Sequence, residues 1–176
     1  AGKILFVVTS HGELGNTGRK TGYWLSEVTR PWKVLKDAGY EIDFMSPKGG
    51  ECPVEGQNPS DPVNKAFAQD LSAQKKINFT IKPSEVKPEE YKAIFFAGGH
   101  GVMWDFPDNK ELAAITSKIY ENGGVVAAVC HGPAALINVK LSNGKFLVDG
   151  KKINSFTNSE EKGIGLDKVV PFALET

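Results

Sequence analysis

Cysteine and histidine are scarce in this chain: 176 residues hold two cysteines, Cys52 and Cys130, and three histidines. Two cysteines cannot build a disulfide framework, and these form no C-x-x-C metal or redox motif, so a reducing cytoplasm is the expected compartment. Neither sign of charge predominates. Lys+Arg and Asp+Glu both number 21, which argues against a nucleic-acid or anionic-membrane partner, since either would call for a basic stripe. Long apolar runs are missing as well. The longest, VVAAVC (125–130) and ILFVV (4–8), fall far short of the ~20 residues of a membrane span or the ~7–15 of a signal-peptide core. Apolar residues at 40% and charged residues at 24% place the chain among ordinary soluble globular proteins, away from disorder. At about 150 residues per domain the length predicts one domain, able to bury ~70% of its unfolded surface.

Three short apolar runs read as strands buried on both faces: KILFVVT (3–9), KAIFFA (92–97) and VVAAVC (125–130), with EIDFMS (41–46) as a fourth. Residues 108–122 carry Leu112, Ile115 and Ile119 at helical spacing, a capping box in Asp108 and Glu111, and a stop at Asn122-Gly123-Gly124. Strands alternating with helices predict an α/β fold with a mostly parallel sheet, whose ligands sit outside the carboxyl ends of the strands. Function is therefore expected just after Thr9, Ala97 and Cys130. The polar stretches 50–73 and 82–90 are expected as long surface loops or short helices. Asp149-Gly150, between two short alternating runs, predicts a tight hairpin. There is no internal repeat and no low-complexity tract.

The chemistry concentrates at Ala128-Val129-Cys130-His131-Gly132-Pro133. Small residues two before and two after a nucleophile permit the sharp strand-to-helix turn of a nucleophile elbow. A helix beginning there aims its amides at the thiol and favours the thiolate. The competing reading makes Cys130 a small buried apolar residue. Cys52, in the polar loop GECPVE, is expected to be inert. The loop Gly98-Gly99-His100-Gly101 lets backbone amides approach a substrate oxygen, so Gly99 and the amide of His131 form a candidate oxyanion hole. On a helix from Gly22, with Trp24 at zero, Val28 falls at roughly 40°, Leu35 at roughly 20°, Val34 at roughly −80° and Glu27 at roughly −60°. That puts the Glu27 carboxyl on an apolar face, with a raised pKa and acid-base capacity. Alternatively Pro31 ends the helix early and Glu27 reaches solvent. His11 and His100 follow strand ends without an assigned role. Glu161 either orients His131 or caps a helix within Asn158-Ser159-Glu160-Glu161. The sequence carries no H-x-x-x-H, H-x-H or H-E-x-x-H, so no metal is expected.

Taken together, KTGYWLSEVTRPW (20–32), FFAGGHGVMWDFP (95–107) and NGGVVAAVCHGPAAL (122–136) resemble the ThiJ/PfpI superfamily, in its branch of heat-inducible holding chaperones and glutathione-independent glyoxalases (glyoxalase III). The resemblance covers essentially the whole chain. It implies a flavodoxin-like three-layer sandwich, akin to class I glutamine amidotransferases, and a homodimer. It makes Cys130 the nucleophile, Glu27 the glutamate hydrogen-bonded to it, His131 the adjacent histidine and Glu161 the distal acid. Family members continue past the point where this chain stops at Thr176, so residues 1–176 are expected to form one domain lacking the family's last strand and C-terminal helix. The implied activity is cofactor-free conversion of methylglyoxal to D-lactate through a Cys130 hemithioacetal, with a small 2-oxoaldehyde as partner. The alternatives are repair of glycated proteins and a stress-responsive chaperone that binds unfolded chains with Cys130 as an oxidation sensor. A cysteine peptidase or amidase ranks below these.

Overall fold

The computed structural model describes residues 1–176. Four parallel strands make the central sheet: β1 (Lys3–Val7), β3 (Glu41–Met45), β5 (Tyr91–Phe96) and β6 (Val125–Ala128), in the order β3-β1-β5-β6. Two further two-residue strands, β2 (Tyr23–Trp24) and β4 (Val54–Glu55), pair in parallel at the sheet's carboxyl end. Helices α1 (Leu25–Asp37), α2 (Pro62–Gln69) and α3 (Leu71–Asn78) cover one face. Helix α5 (Lys110–Glu121) and the turn 132–136 cover the other. The four-residue α4 (Val102–Asp105) and the six-residue α6 (Asn158–Gly163) complete the helices.

The strand period of two explains why the apolar runs are continuous. Leu5, Val7, Ile94 and Phe96 point to the α5 side and pack on Leu112, Ile115 and Ile119. Ile4, Phe6, Ile42 and Phe44 point the other way, onto Val28, Trp32, Phe67 and Ile77. The chain passes from β1 to β3 on one side and then returns past β1 to β5 on the other, so the carboxyl ends of β1 and β5 mark the topological switch point. Thr9 and Ser10 are pinned there by Asp105, which accepts from the Thr9 hydroxyl at 2.7 Å and the Ser10 amide at 2.8 Å.

Several local expectations need correction. Helix α5 starts one residue later than predicted because Asn109, not Asp108, caps it, its side chain accepting from the Leu112 amide at 3.0 Å. Pro31 does not end α1; the packing of Val28 and Trp32 on the sheet holds the helix through Asp37. The buried face of α1 centres on Val28, Thr29 and Trp32, whereas Val34 is 69% exposed, so the apolar stripe lies to one side of the predicted one. Asp149-Gly150 makes a turn but no hairpin. Residues 141–151 fold instead through successive turns, and Ile153, predicted in the return strand, lies exposed with no strand to pair against. The polar stretch 82–90 does form short helices as expected, two single 3₁₀ turns each opened by a proline.

Candidate active site

Three segments converge at the carboxyl ends of β5 and β6: the start of α1, the loop 97–101 and the turn 129–132. Their approach is too close for side chains at two positions. A Cβ on Gly98 would stand 2.9 Å from the Cys130 Cβ and from Glu27 Oε2, and Gly99 combines a φ of 102° with a path blocked by the Gly22 carbonyl. The glycine-rich loop therefore lets α1 and the thiol share one space.

Cys130 is the one non-glycine residue with positive φ, at 59°, as an elbow requires. The next segment, Gly132–Leu136, is a 3₁₀ helix rather than an α-helix. The predicted dipole support for the thiolate is correspondingly short. Burial, and then the charge and hydrogen bond of Glu27, push the Cys130 thiol up to about 12, against the opposing pull of the His131 and Gly99 amides. The expectation of a readily ionised resting thiol is thus overturned: desolvation outweighs two amides. The two amides that face the sulfur are, however, the pair predicted as an oxyanion hole.

The Glu27 carboxyl reaches this thiol from the first turn of α1. Its Oε2 is buried without a hydrogen-bond partner, and burial raises its pKa to about 7 against the opposing influence of the neighbouring Cys130 thiol and Gly98 amide. The predicted raised pKa is present, and the carboxyl lies beside the thiol.

On the thiol's other side, His131 places Nδ1 3.4 Å from Cys130 Sγ and Nε2 2.6 Å from Glu161 Oε2. The main chain at the elbow, with His131 at φ −86° and ψ −8°, brings the ring back beside its neighbour's sulfur. His131 is 1% exposed and stacks on Phe156 at 4.3 Å; burial lowers its pKa below the usual histidine value, and so does the nearby His100, against the pull of Glu161. The imidazole is therefore neutral at pH 7, and donation of Nε2–H to Glu161 leaves Nδ1 as an acceptor toward the thiol. Glu161, 6% exposed, does not cap α6. Thr157 and Glu160 form the capping box one position earlier than predicted, which frees Glu161 to face inward.

Sequence reasoning missed His100. Its Nε2 lies 2.6 Å from Glu161 Oε1 and its ring 4.2 Å from that of His131, so one carboxylate serves two histidines. The only signal was its place next to Gly99 in the loop after β5. Residues 100, 131 and 161 are also grouped closely enough to share a cation, all donor atoms lying within 4.8 Å, a grouping that motif spacing could not reveal. Both carboxylate oxygens are already engaged by imidazole nitrogens. His11 stays apart, stacked on Trp104, and Cys52 is buried against Thr80 and the Gly50 carbonyl. The thiol opens into a cavity of about 280 Å³ lined by Trp24, Glu27, Gly99, His100, Cys130, His131, Phe156 and Ile164. No helix is long and apolar enough to cross a membrane.

The comparisons with known proteins agree with this geometry. Residues 20–162 match the model of the DJ-1/PfpI family. The glutathione-independent glyoxalase HSP31 of Saccharomyces cerevisiae is 35% identical over 179 residues, covering 96% of this chain and 74% of the yeast protein. Among solved structures, the Rapid Encystment Protein 24 KDa of Francisella tularensis superposes with a TM-score of 0.94 at 43% identity, over 99% of this chain and 79% of that one. Glyoxalase III of Candida albicans gives 0.86 at 32% identity, over 96% and 73%. With the elbow, the flanking acids and the parallel sheet in place and the match running along nearly all of its length, the chain belongs to the DJ-1/PfpI family.

Proposed function

We propose that this protein converts methylglyoxal to D-lactate without glutathione or another cofactor, with Cys130 as nucleophile. The observation that carries this reading is the Cys130 thiol held between Glu27 and the His131–Glu161 pair in a cavity whose wall contains no lysine or arginine. Such a wall offers no lysine or arginine cation to a carboxylate or phosphate and suits a small uncharged 2-oxoaldehyde. The relatives named as glutathione-independent glyoxalases and as glyoxalase III support the same substrate class.

Sγ attacks the aldehyde carbon while the thiol proton passes to His131 Nδ1 or to Glu27, so a neutral resting thiol is no obstacle. The amides of Gly99 and His131 face the oxygen that gains charge. Glu27 or His131 then carries the aldehyde-carbon hydrogen, as a proton, to the neighbouring carbon through an enediolate. With a pKa of about 7, Glu27 is matched to both giving and taking that proton. The product is a 2-hydroxyacyl thioester, and water releases lactate. The same reading includes a cytoplasmic homodimer, the family's usual form. Purified protein given methylglyoxal without glutathione, nucleotide or added metal is expected to form D-lactate, and Cys130→Ser is expected to abolish it. Suppression of client aggregation without any lactate would favour the chaperone reading instead.

A further inference from the structure

The proposed steps leave the hydrolytic water without a base. The thioester must be attacked by a water that loses a proton as its oxygen bonds to the acyl carbon. His131 is poorly placed for this: it is almost completely buried, closed over by Phe156 and His100, and its Nδ1 is turned to the sulfur. His100 differs in each respect. It lines the cavity with Cys130, is partly exposed, and gives its Nε2 to Glu161 Oε1, while its Nδ1 has no partner in the protein and is not sealed from solvent. Donation of Nε2–H to the carboxylate fixes the tautomer whose Nδ1 is bare and free to accept, as in the acid-histidine pairs of hydrolases.

We propose that His100 is a second catalytic histidine, the general base for hydrolysis of the Cys130 thioester, held in register with His131 by their shared Glu161. This rests on the glyoxalase reading. In the step, the water oxygen bonds to the acyl carbon and its proton goes to His100 Nδ1. The tetrahedral adduct collapses with cleavage of the carbon–sulfur bond. The proton on His100 returns to the departing sulfur, so lactic acid leaves and the thiol is restored. Two histidines on one carboxylate thus divide the reaction: His131 attends the sulfur and His100 the water.

The test is His100→Gln, whose amide nitrogen can still donate to Glu161 but which has no basic nitrogen. In single turnovers with methylglyoxal, loss of the Cys130 thiol is expected at the parent rate, while D-lactate release falls ~10²-fold or more, in the range of general-base effects. Intact protein should then carry the mass of one methylglyoxal, and quenching with hydroxylamine should yield the 2-hydroxyacyl hydroxamate, marking a thioester and not a hemithioacetal. Hydroxylamine, which needs no base to attack, is expected to free the variant's thiol when added after the excess methylglyoxal, which it would otherwise consume as an oxime, has been removed. Release at the parent rate would overturn the proposal, as would equal loss of both phases without rescue by hydroxylamine, which would make His100 merely structural. Absence of lactate from the parent protein would instead overturn the glyoxalase reading itself.

Discussion

The two carboxyl groups that flank Cys130 come from regions of opposite character. Glu161 belongs to a six-residue helix at the rim, yet both of its oxygens are bonded to imidazole nitrogens at 2.6 Å. Glu27 belongs to the thirteen-residue α1, anchored in the core by Val28 and Trp32, yet its Oε2 is buried with no partner. The region with the weaker scaffold holds the satisfied group, and the stronger scaffold holds the unsatisfied one. A buried carboxyl oxygen without a partner has to be forced into place, and a well-packed helix can bear that cost, of the order of 1–3 kcal/mol. The contrast also divides the chemistry: Glu161 fixes tautomers, and Glu27 keeps a proton that can move.

The largest effect that would sharpen this comparison is on turnover. Glu27→Gln keeps the hydrogen-bonding shape and loses the acid, so D-lactate formation is expected to fall ~10²- to 10⁴-fold at unchanged folding. Activity within a few-fold of the parent would make Glu27 structural and move the proton to His131. Stability comes next, and the two sites should respond in opposite directions. Glu161→Ala orphans two imidazole N–H groups and is expected to cost ~1–3 kcal/mol for each that stays dry, read from urea unfolding. Glu27→Gln should cost nothing at neutral pH or stabilise. Equal losses in both variants would break the comparison.

A third test is pH dependence. The folded pKa of Glu27, about 7, lies above its ordinary value of 4.5, so in this interval the folded state holds a proton that the unfolded state has released. Its contribution is therefore intact below pH 4.5 and is lost as pH rises through 7. The melting-temperature difference between Glu27→Gln and the parent should accordingly grow in the variant's favour across that window and then level off. The smallest effect concerns the thiol. Removing the Glu27 charge takes away the second cause of the raised Cys130 pKa but leaves burial, the first. Alkylation of Cys130 against pH should then inflect lower in Glu27→Gln than in the parent, and an unchanged curve would show that the two groups do not interact.

Much of this protein was legible before any tertiary contact. Runs such as KILFVVT, KAIFFA and VVAAVC specify strands covered on both faces, because only such strands can bury every side chain in sequence. Parallel order and a site at the carboxyl ends follow from their alternation with helices, and the spacing of Ala128, Cys130 and Gly132 marks the elbow. What sequence could not decide was which side chains meet. Glu161 and Glu160 are adjacent and chemically alike, yet one caps a helix and its neighbour binds two histidines, a choice set by a one-residue difference in where α6 begins. His100 reaches Glu161 across 61 residues of chain, and no local pattern encodes that distance. The resting state of Cys130 was equally beyond reach, since an elbow motif shows the amides that favour a thiolate but not the burial that opposes it. Local geometry follows from nearest neighbours along the chain, whereas pairing, burial and proton affinity depend on neighbours that folding alone brings together.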